Sequence, residues 1–369
     1  MKIECSKNKL QEALLKLDKL TVKNPTLPIL KCILFSVKDN VLKLKATNLD
    51  VGAEIEIPVK IKESGDVAIP GNIISSFISN LPDNNESQIN IEGDDKKISI
   101  ITKNTSTDIN TYSVEDFPNI PKVSKNKNTF KISSEEIVSG IGSVFFSASN
   151  SSIKPELSSV YVYQESGFLY FVSTDSFRLS EKKIQAPEGL NDNISIIIPY
   201  KNIPLIIKLL ENTNTVNVEF DNNQISFFND NIFVTSRIIN STFPDYKQII
   251  PNDFKTKAIV LKEDLMSCFK LNSLFSNEFR QVKFNIIPSQ KIFNIETQDN
   301  HIGKNVTNLN STLEGEDIEI TFNHKYITDC FQSFDSESLS LNFSEKDKPL
   351  VIRSETNNSF RYIVMPMNK

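Results

Sequence analysis

The sequence predicts an α+β protein built from three tandem copies of one domain, each with two helices packed on antiparallel β-sheet. Three observations carry this. First, a strand-like run followed by a threonine turn returns at one-domain spacing. Residues 42–46 run into Thr47-Asn48-Leu49-Asp50, residues 169–172 into Ser173-Thr174-Asp175-Ser176-Phe177-Arg178-Leu179, and residues 292–296 into Thr297-Gln298-Asp299-Asn300. Thr47 and Thr174 are 127 residues apart, Thr174 and Thr297 123. A period that long means three whole folds in a row and not a solenoid of small units. Second, each third opens on a strand and an amphipathic helix. Third, each third holds a second helix followed by alternating strands.

The elements follow in order. Strand 2–5 leads into a helix over 6–20, with Leu10, Ala13, Leu14 and Leu17 as its apolar stripe. Strand 129–132 leads through Ser133-Ser134-Glu135-Glu136 into a helix carrying Ile137, Ile141, Val144 and Phe145. Strand 258–261 leads into a helix with Leu265, Cys268, Phe269 and Phe275 inward. The second helices carry Ile73, Ile74, Phe77 and Ile78, then Ile203, Ile206, Ile207 and Leu210, then Ile327, Cys330, Phe331 and Phe334. Each is followed by period-two strands with Asn, Asp or Gly turns, as at Gly93-Asp94-Asp95 and Asp221-Asn222-Asn223, which marks antiparallel hairpins. Proline-bounded exits at 116–121 and 243–251 place domain edges near 125 and 254, giving domains 1–124, 125–254 and 255–369.

Composition narrows the function. In 369 residues, 39% hydrophobic and 24% charged, there is enough apolar material for sizeable cores and no signature of disorder. Cys5, Cys32, Cys268 and Cys330 are widely spaced, which suits buried thiols in a reducing compartment and not zinc or disulfides. No signal-like or membrane-length apolar run occurs, so a soluble, cytoplasmic protein is expected. A net charge of −5 taken alone argues against a nucleic-acid partner, but local fields count for more than totals.

Catalytic signatures are missing. Neither phosphate-binding glycine loop nor G-x-S-x-G nor HExxH is present, and His301 and His324 are too few for a metal cluster. Asp50, Asp175 and Asp299 read either as an acid–base set or as side chains that close turns, and no partner carboxylate is supplied by spacing. A non-enzyme without cofactor or metal is expected.

Six motifs in order then resemble one family. These are Asn24-Pro25-Thr26-Leu27-Pro28-Ile29-Leu30, Asp116-Phe117-Pro118-Asn119, Thr174-Asp175-x-x-Arg178-Leu179, Phe243-Pro244-Asp245-Tyr246, Ser276-Asn277-Glu278-x-Arg280-x-Val282 and Tyr362-Ile363-Val364-Met365-Pro366-Met367. Over the whole chain the sequence resembles the bacterial sliding clamp, the beta subunit of DNA polymerase III. The resemblance implies three clamp (processivity-fold) domains per chain and a head-to-tail homodimeric ring around duplex DNA, with helices lining the hole. It implies a non-catalytic processivity factor that recruits the replicative polymerase and other clients, and an ATP-driven loader as a further partner. Size agrees: domains of about 120 residues are roughly 35 Å across, so three in a triangle leave a hole of about 5 Å and six in a hexagon about 35 Å.

The resemblance also assigns residues. Lys9, Lys16, Lys19, Lys23, Asn24, Lys201, Lys208 and Lys325 are expected to face DNA. Lysine suits sliding, because its compact hydrated charge lacks the bidentate hold of a guanidinium, and phosphate contacts carry no sequence information. A client-peptide pocket is expected from Leu157, Thr174, Asp175, Ser176, Phe177, Arg178, Leu179, Pro244, Gln248, Ile249, Ile363, Met365, Pro366 and Met367. Arg178 reads as a polar anchor at its rim or as a structural ion pair. Ser176-Phe177 stands where the family often has Gly-His, and Gln248 where it commonly has arginine, so a more apolar pocket is expected. Thr107 and Ile109 are expected to meet Leu274 and Phe275 across the dimer seam, edge to edge. Leu274 and Phe275 read equally as core at a helix end. The competing readings are a peptide-binding scaffold without DNA, and a hydrolase using the three aspartates.

Overall fold

The computed structural model describes residues 1–23, 25–82, 88–102, 105–123, 128–187, 190 and 194–367. Six α-helices occur among them: α1 (Lys7–Leu17), α2 (Gly71–Asn80), α3 (Ser134–Gly142), α4 (Ile203–Leu210), α5 (Lys262–Asn272) and α6 (His324–Asp329). Each directly follows a strand or is joined to one by a single 3-10 turn. The α1 stripe is buried as the periodicity requires, and the predicted helix over 6–20 ends as a 3-10 turn, Asp18–Leu20. On α2 the buried face is Gly71, Ile74, Ser75 and Ile78, with Ile73 exposed, so the predicted stripe is narrower than its four apolar residues. The last helix is also shorter than its pattern. α6 stops after six residues, and Phe331–Ser333 continues as 3-10 turn, with Cys330, Phe331 and Phe334 all buried.

The chain forms two compact units. The first is 1–138, 187–190 and 201–238; the second is 139–186, 191–200 and 239–369. This division follows the sheets, because strands from the middle third continue sheets begun in the other two. The first unit has a five-stranded sheet in the order Lys60–Glu63, Lys2–Ser6, Gln88–Gly93, Lys97–Ile101, Ser106–Asn110. Its eight-stranded sheet runs Asn128–Ser133, Thr215–Phe220, Gln224–Phe228, Ile232–Arg237, Val51–Pro58, Val41–Thr47, Cys32–Lys38, Gly65–Pro70. α1 packs on α2, touches α4, and lies on strands Val41–Thr47 and Val51–Pro58.

The second unit has a nine-stranded sheet in the order Ser195–Pro199, Ser159–Glu165, Phe168–Thr174, Arg178–Gln185, Phe360–Val364, Leu350–Ser354, Ser338–Phe343, Thr256–Leu261, Ser311–Gly315. Its four-stranded sheet runs Gly303–Asn308, Ile292–Asp299, Gln281–Ile287, Ile318–Asn323. Phe284 centres an aromatic core, meeting Phe269, Phe293, Phe322 and Phe343 edge-on at 5.3 to 6.4 Å between centroids. Such ring pairs add about 0.5–1.5 kcal/mol each beyond burial, which lets phenylalanine fill a chain that has no tryptophan.

One joint recurs. The strand after the first threonine turn, Val51–Pro58, pairs with the last strand of the middle third, Ile232 opposite Ile55 and Ser236 opposite Val51. The strand after the second threonine turn, Arg178–Gln185, pairs with the chain's final strand, Arg178 opposite Val364 and Leu179 opposite Ile363. The corresponding strand of the last third, Gly303–Asn308, and the corresponding final strand of the first, Ser106–Asn110, are both left at sheet edges.

Candidate functional site

The threonine turn is built from side chains that replace ladder bonds. Thr174 Oγ1 donates to the Arg178 carbonyl at 2.7 Å and accepts from Ser176 N at 3.1 Å. Asp175 Oδ1 accepts from Phe177 N and Arg178 N, both at 3.0 Å. Ser176 is forced to φ 77°, a left-handed conformation that non-glycine residues enter only when surroundings fix it. The first third repeats this with Thr47, Leu49 at φ 75°, and Asn48 Oδ1 accepting from Asp50 N and Val51 N. In the last third Asp299 Oδ1 accepts from His301 N and Ile302 N, while Thr297 bonds Asn272. The counterpart of Asp175 in the first third is therefore Asn48. Asp50 is ion-paired to Lys201 at 2.7 Å. These are turn closers, and an amide serves as well as a carboxylate in that role.

Arg178 is bound on every side. Its Nε donates to Asp175 at 2.9 Å, Nη1 to Asp329 at 2.6 Å and Nη2 to the Phe146 carbonyl at 2.8 Å. Its guanidinium carbon lies over the rings of Tyr326 and Phe146, 4.7 and 5.7 Å from their centroids. The side chain is 9% exposed. Burial opposes its charge, and Tyr362, Asp329 and Asp175 more than reverse this, so its pKa is raised. Of the two readings of Arg178, the structural ion pair is the observed one: Nε, Nη1 and Nη2 are each engaged within the protein.

Around this turn the other pocket residues sort by depth. Leu179 and Ile363 are fully buried, in one cluster with Val172, Val351, Phe243 and Tyr246. Tyr362 and Val364 are buried too, so on the final strand only Arg361 is partly exposed, and the half-buried run begins at Met365. Met365 N donates to Phe177 O and Met367 N to Thr321 O, both at 2.8 Å. Pro244, Gln248 and Ile249 are exposed, and Phe177 is 60% exposed, stacked at 6.5 Å on Tyr326. Gln248 is held by Asp245 at 2.7 Å. Leu157 is buried where its carbonyl accepts from Ser149 N. Leu179, Ile363 and Leu157 are thus buried, and Met365, Pro366 and Met367 half-buried.

A network absent from the sequence reading fixes the 243–249 segment. Tyr246 Oη donates to buried Glu181 at 2.5 Å and meets Tyr163 Oη at 2.6 Å, while Arg361 Nε donates to Glu181 at 2.8 Å. Burial and Glu181 push the Tyr246 phenol up, so it stays a donor. Period-two alternation from inward Leu179 puts Glu181 inward as well, and that was the available signal.

The lysines divide. Lys16 is only 12% exposed, its Nζ donating to the Glu211 carbonyl at 2.7 Å near the end of α4, with Glu12 at 3.9 Å. Burial lowers its pKa. Its stem packs along the protein and its charge meets a helix C-terminus, which is where a buried ammonium is best placed. The expectation that Lys16 projects beside Lys9 is thus corrected. Lys201 and Lys208 project but pair with Asp50 and Glu211 at 2.7 and 2.8 Å. Lys9, Lys19, Lys23 and Lys325 are exposed, with no carboxylate within 4.0 Å among the described residues. Asn24 lies outside the described residues.

Of the seam residues, Leu274 is 66% exposed and Phe275 half-buried, on a 3-10 turn after α5, so Leu274 is not core. Thr107 is half-buried on the edge strand. Ile109 is only 8% exposed and sits opposite Ile98 in its own sheet, because alternation turns it inward. Burial raises the thiol of Cys5 to about 12 and of Cys32 to about 11, leaving both unreactive. Among the described residues no cluster of three or more His, Cys, Asp or Glu is placed to hold a metal, and no helix is long and apolar enough to cross a membrane.

This arrangement, three α+β modules sharing continuous sheets, is the sliding-clamp fold. Models of the DNA polymerase III beta subunit match its N-terminal domain over residues 1–121, its central domain over 131–245 and its C-terminal domain over 247–368. The Beta sliding clamp of Rickettsia bellii is 26% identical over 89% of each chain, and that of Bacillus subtilis 24% over 100% of this chain and 99% of the other. The crystal structure of the Thermotoga maritima beta subunit superposes with a TM-score of 0.92 at 25% identity, covering 100% and 99%. The Bartonella birtlesii sliding clamp bound to griselimycin does so at 0.92 and 26%, covering 100% of both chains. The chain belongs to the DNA polymerase III beta subunit family. Its function is that of a DNA sliding clamp, a non-catalytic processivity factor of the polymerase.

Proposed function

We propose that two copies of this chain close head to tail into a ring around duplex DNA and hold client proteins by a short apolar peptide. The recurring joint carries this reading. In two of three places the strand after the threonine turn pairs with the final strand of a neighbouring third. The third such pair, Gly303–Asn308 and Ser106–Asn110, has both members at edges. Supplying each from a second copy completes the pattern and removes two exposed edges. Leu274, Phe275 and Thr107 belong to that seam, with exposed Ile302 and Val306 beside them; Ile109 supports it from behind. The domains are 1–124, 125–254 and 255–369, and the working site is cytoplasmic.

Peptide binding falls to the floor of Leu179 and Ile363 and to the rim of Phe177, Pro244, Ile249, Met365, Pro366 and Met367, with Leu157 beneath. Methionine adapts to varied ligands, and few exposed charges favour apolar peptides. The polymerase, an ATP-driven loader and other clients share it. DNA is met mainly by Lys9, Lys19, Lys23 and Lys325, nonspecifically. Met365→Ala is expected to abolish binding of a hydrophobic client peptide in fluorescence anisotropy while the molecular mass in solution stays at twice 41.8 kDa. An unchanged titration removes the pocket assignment.

A further inference from the structure

From the region where α5's 3-10 extension faces α6, we infer a phosphate-binding site in the last third of the chain. A cavity of about 320 Å³ is lined there by Ser273, Ser276, Asn277, Arg280, His324 and Lys325. Two of these are cations, and among the described residues neither has a carboxylate within 4.0 Å. Two unpaired cations thus line one cavity, whereas Lys201 and Lys208 are each paired to an acid. The nearest acid on α6, Asp329, is engaged by Arg178 at 2.6 Å.

Three further facts point to an anion. Ser276 Oγ is buried and has no hydrogen-bond partner. An unsatisfied buried hydroxyl is costly, and its rotor turns freely to an acceptor. Arg280 is held at φ 55°, a conformation this residue type adopts only under constraint, by its N–H on the Asn277 carbonyl and its carbonyl on His324 N, at 2.8 and 2.7 Å. The loop is thus fixed before any ligand arrives. His324 is fixed in place: its Nε2 meets the Phe269 carbonyl at 3.0 Å and its ring lies against that of Phe269 at 5.0 Å. Arg280 offers a planar fork for two phosphate oxygens, Lys325 a point charge, and Ser276 a neutral donor. The ligand class is a phosphate group, taken either from a DNA backbone or as free phosphate, and the cavity leaves room for water around it.

Two probes separate these sources. In a thermal-shift assay, inorganic phosphate should raise the melting temperature above chloride at equal ionic strength. Arg280→Gln with Lys325→Gln should erase that shift. In anisotropy with a short labelled duplex, the same double variant should reduce the log K against log salt slope by about 0.9 for each phosphate no longer neutralised, and so by about 1–2. Lys257→Gln, which removes a charge paired to Glu355 at 3.1 Å outside the cavity, is the control. A slope change beyond the control identifies the DNA backbone as occupant; a missing phosphate shift in the double variant with an unchanged slope identifies free phosphate. Ser276→Ala guards against misfolding of the double variant. It should melt no lower than the parent without phosphate and benefit less from phosphate. The phosphate arm does not depend on ring formation. No phosphate-specific shift in the parent, together with a duplex slope equal to the control's, overturns the site.

Discussion

Arg178 sits where five groups converge: two carboxylates, a carbonyl and two aromatic rings. Removing it leaves Asp175 and Asp329 without their partner in a largely buried setting, which typically costs about 3–5 kcal/mol. Arg178→Ala should show that loss in chemical denaturation, and Arg178→Lys should recover only part, since an ammonium cannot fork. Tyr246→Phe tests the buried network separately. It deprives Glu181 and Tyr163 of one bond each and should lower stability by about 1–3 kcal/mol, with weaker peptide binding, because Pro244 and Ile249 lose their mooring. His324 gives a pH signature. Burial first, then Arg280, lowers its pKa from 6.5, so below about pH 6.5 the unfolded chain binds a proton that the folded chain resists. Its contribution to stability is present at high pH and fades as pH falls through the unfolded value; His324→Gln should flatten that part of the profile. The turn chemistry at Thr174 was readable from sequence. The pairing of Arg178 was not, because Asp329 and Phe146 are 151 and 32 residues away.

At the scale of elements, helix periodicity located all three opening helices, but it could not say which lysines stay solvated. Lys9 and Lys16 lie seven apart on α1, and only proximity to the α4 terminus separates their fates. Reversing Lys9, Lys19 and Lys23 to Glu should therefore weaken duplex binding and flatten its salt dependence, whereas Lys16→Met should act mainly on stability; duplex titrations across salt decide this. Strand alternation was a better guide. It places Thr107 and Ile109 together on the inward face of the edge strand, opposite exposed Ser106, Asp108 and Asn110, although the resemblance alone put both in the seam. Leu274→Glu, on an already exposed side chain, should shift the protein toward monomer in sedimentation with little change in melting temperature.

For the whole molecule, the threefold repeat was legible in sequence because whole-domain spacing leaves few alternatives. The sharing of strands between thirds was not legible, because pairing between distant segments carries no local signal. The proposed enclosure would reconcile a net charge of −5 with DNA as partner, because a ring needs a mildly cationic inner wall and no tight grip. The most direct test is retention on DNA after loading. Loaded protein should stay on a nicked circular duplex through a high-salt wash and leave when a restriction enzyme linearises it. Equal loss from circular and linear DNA would contradict encirclement.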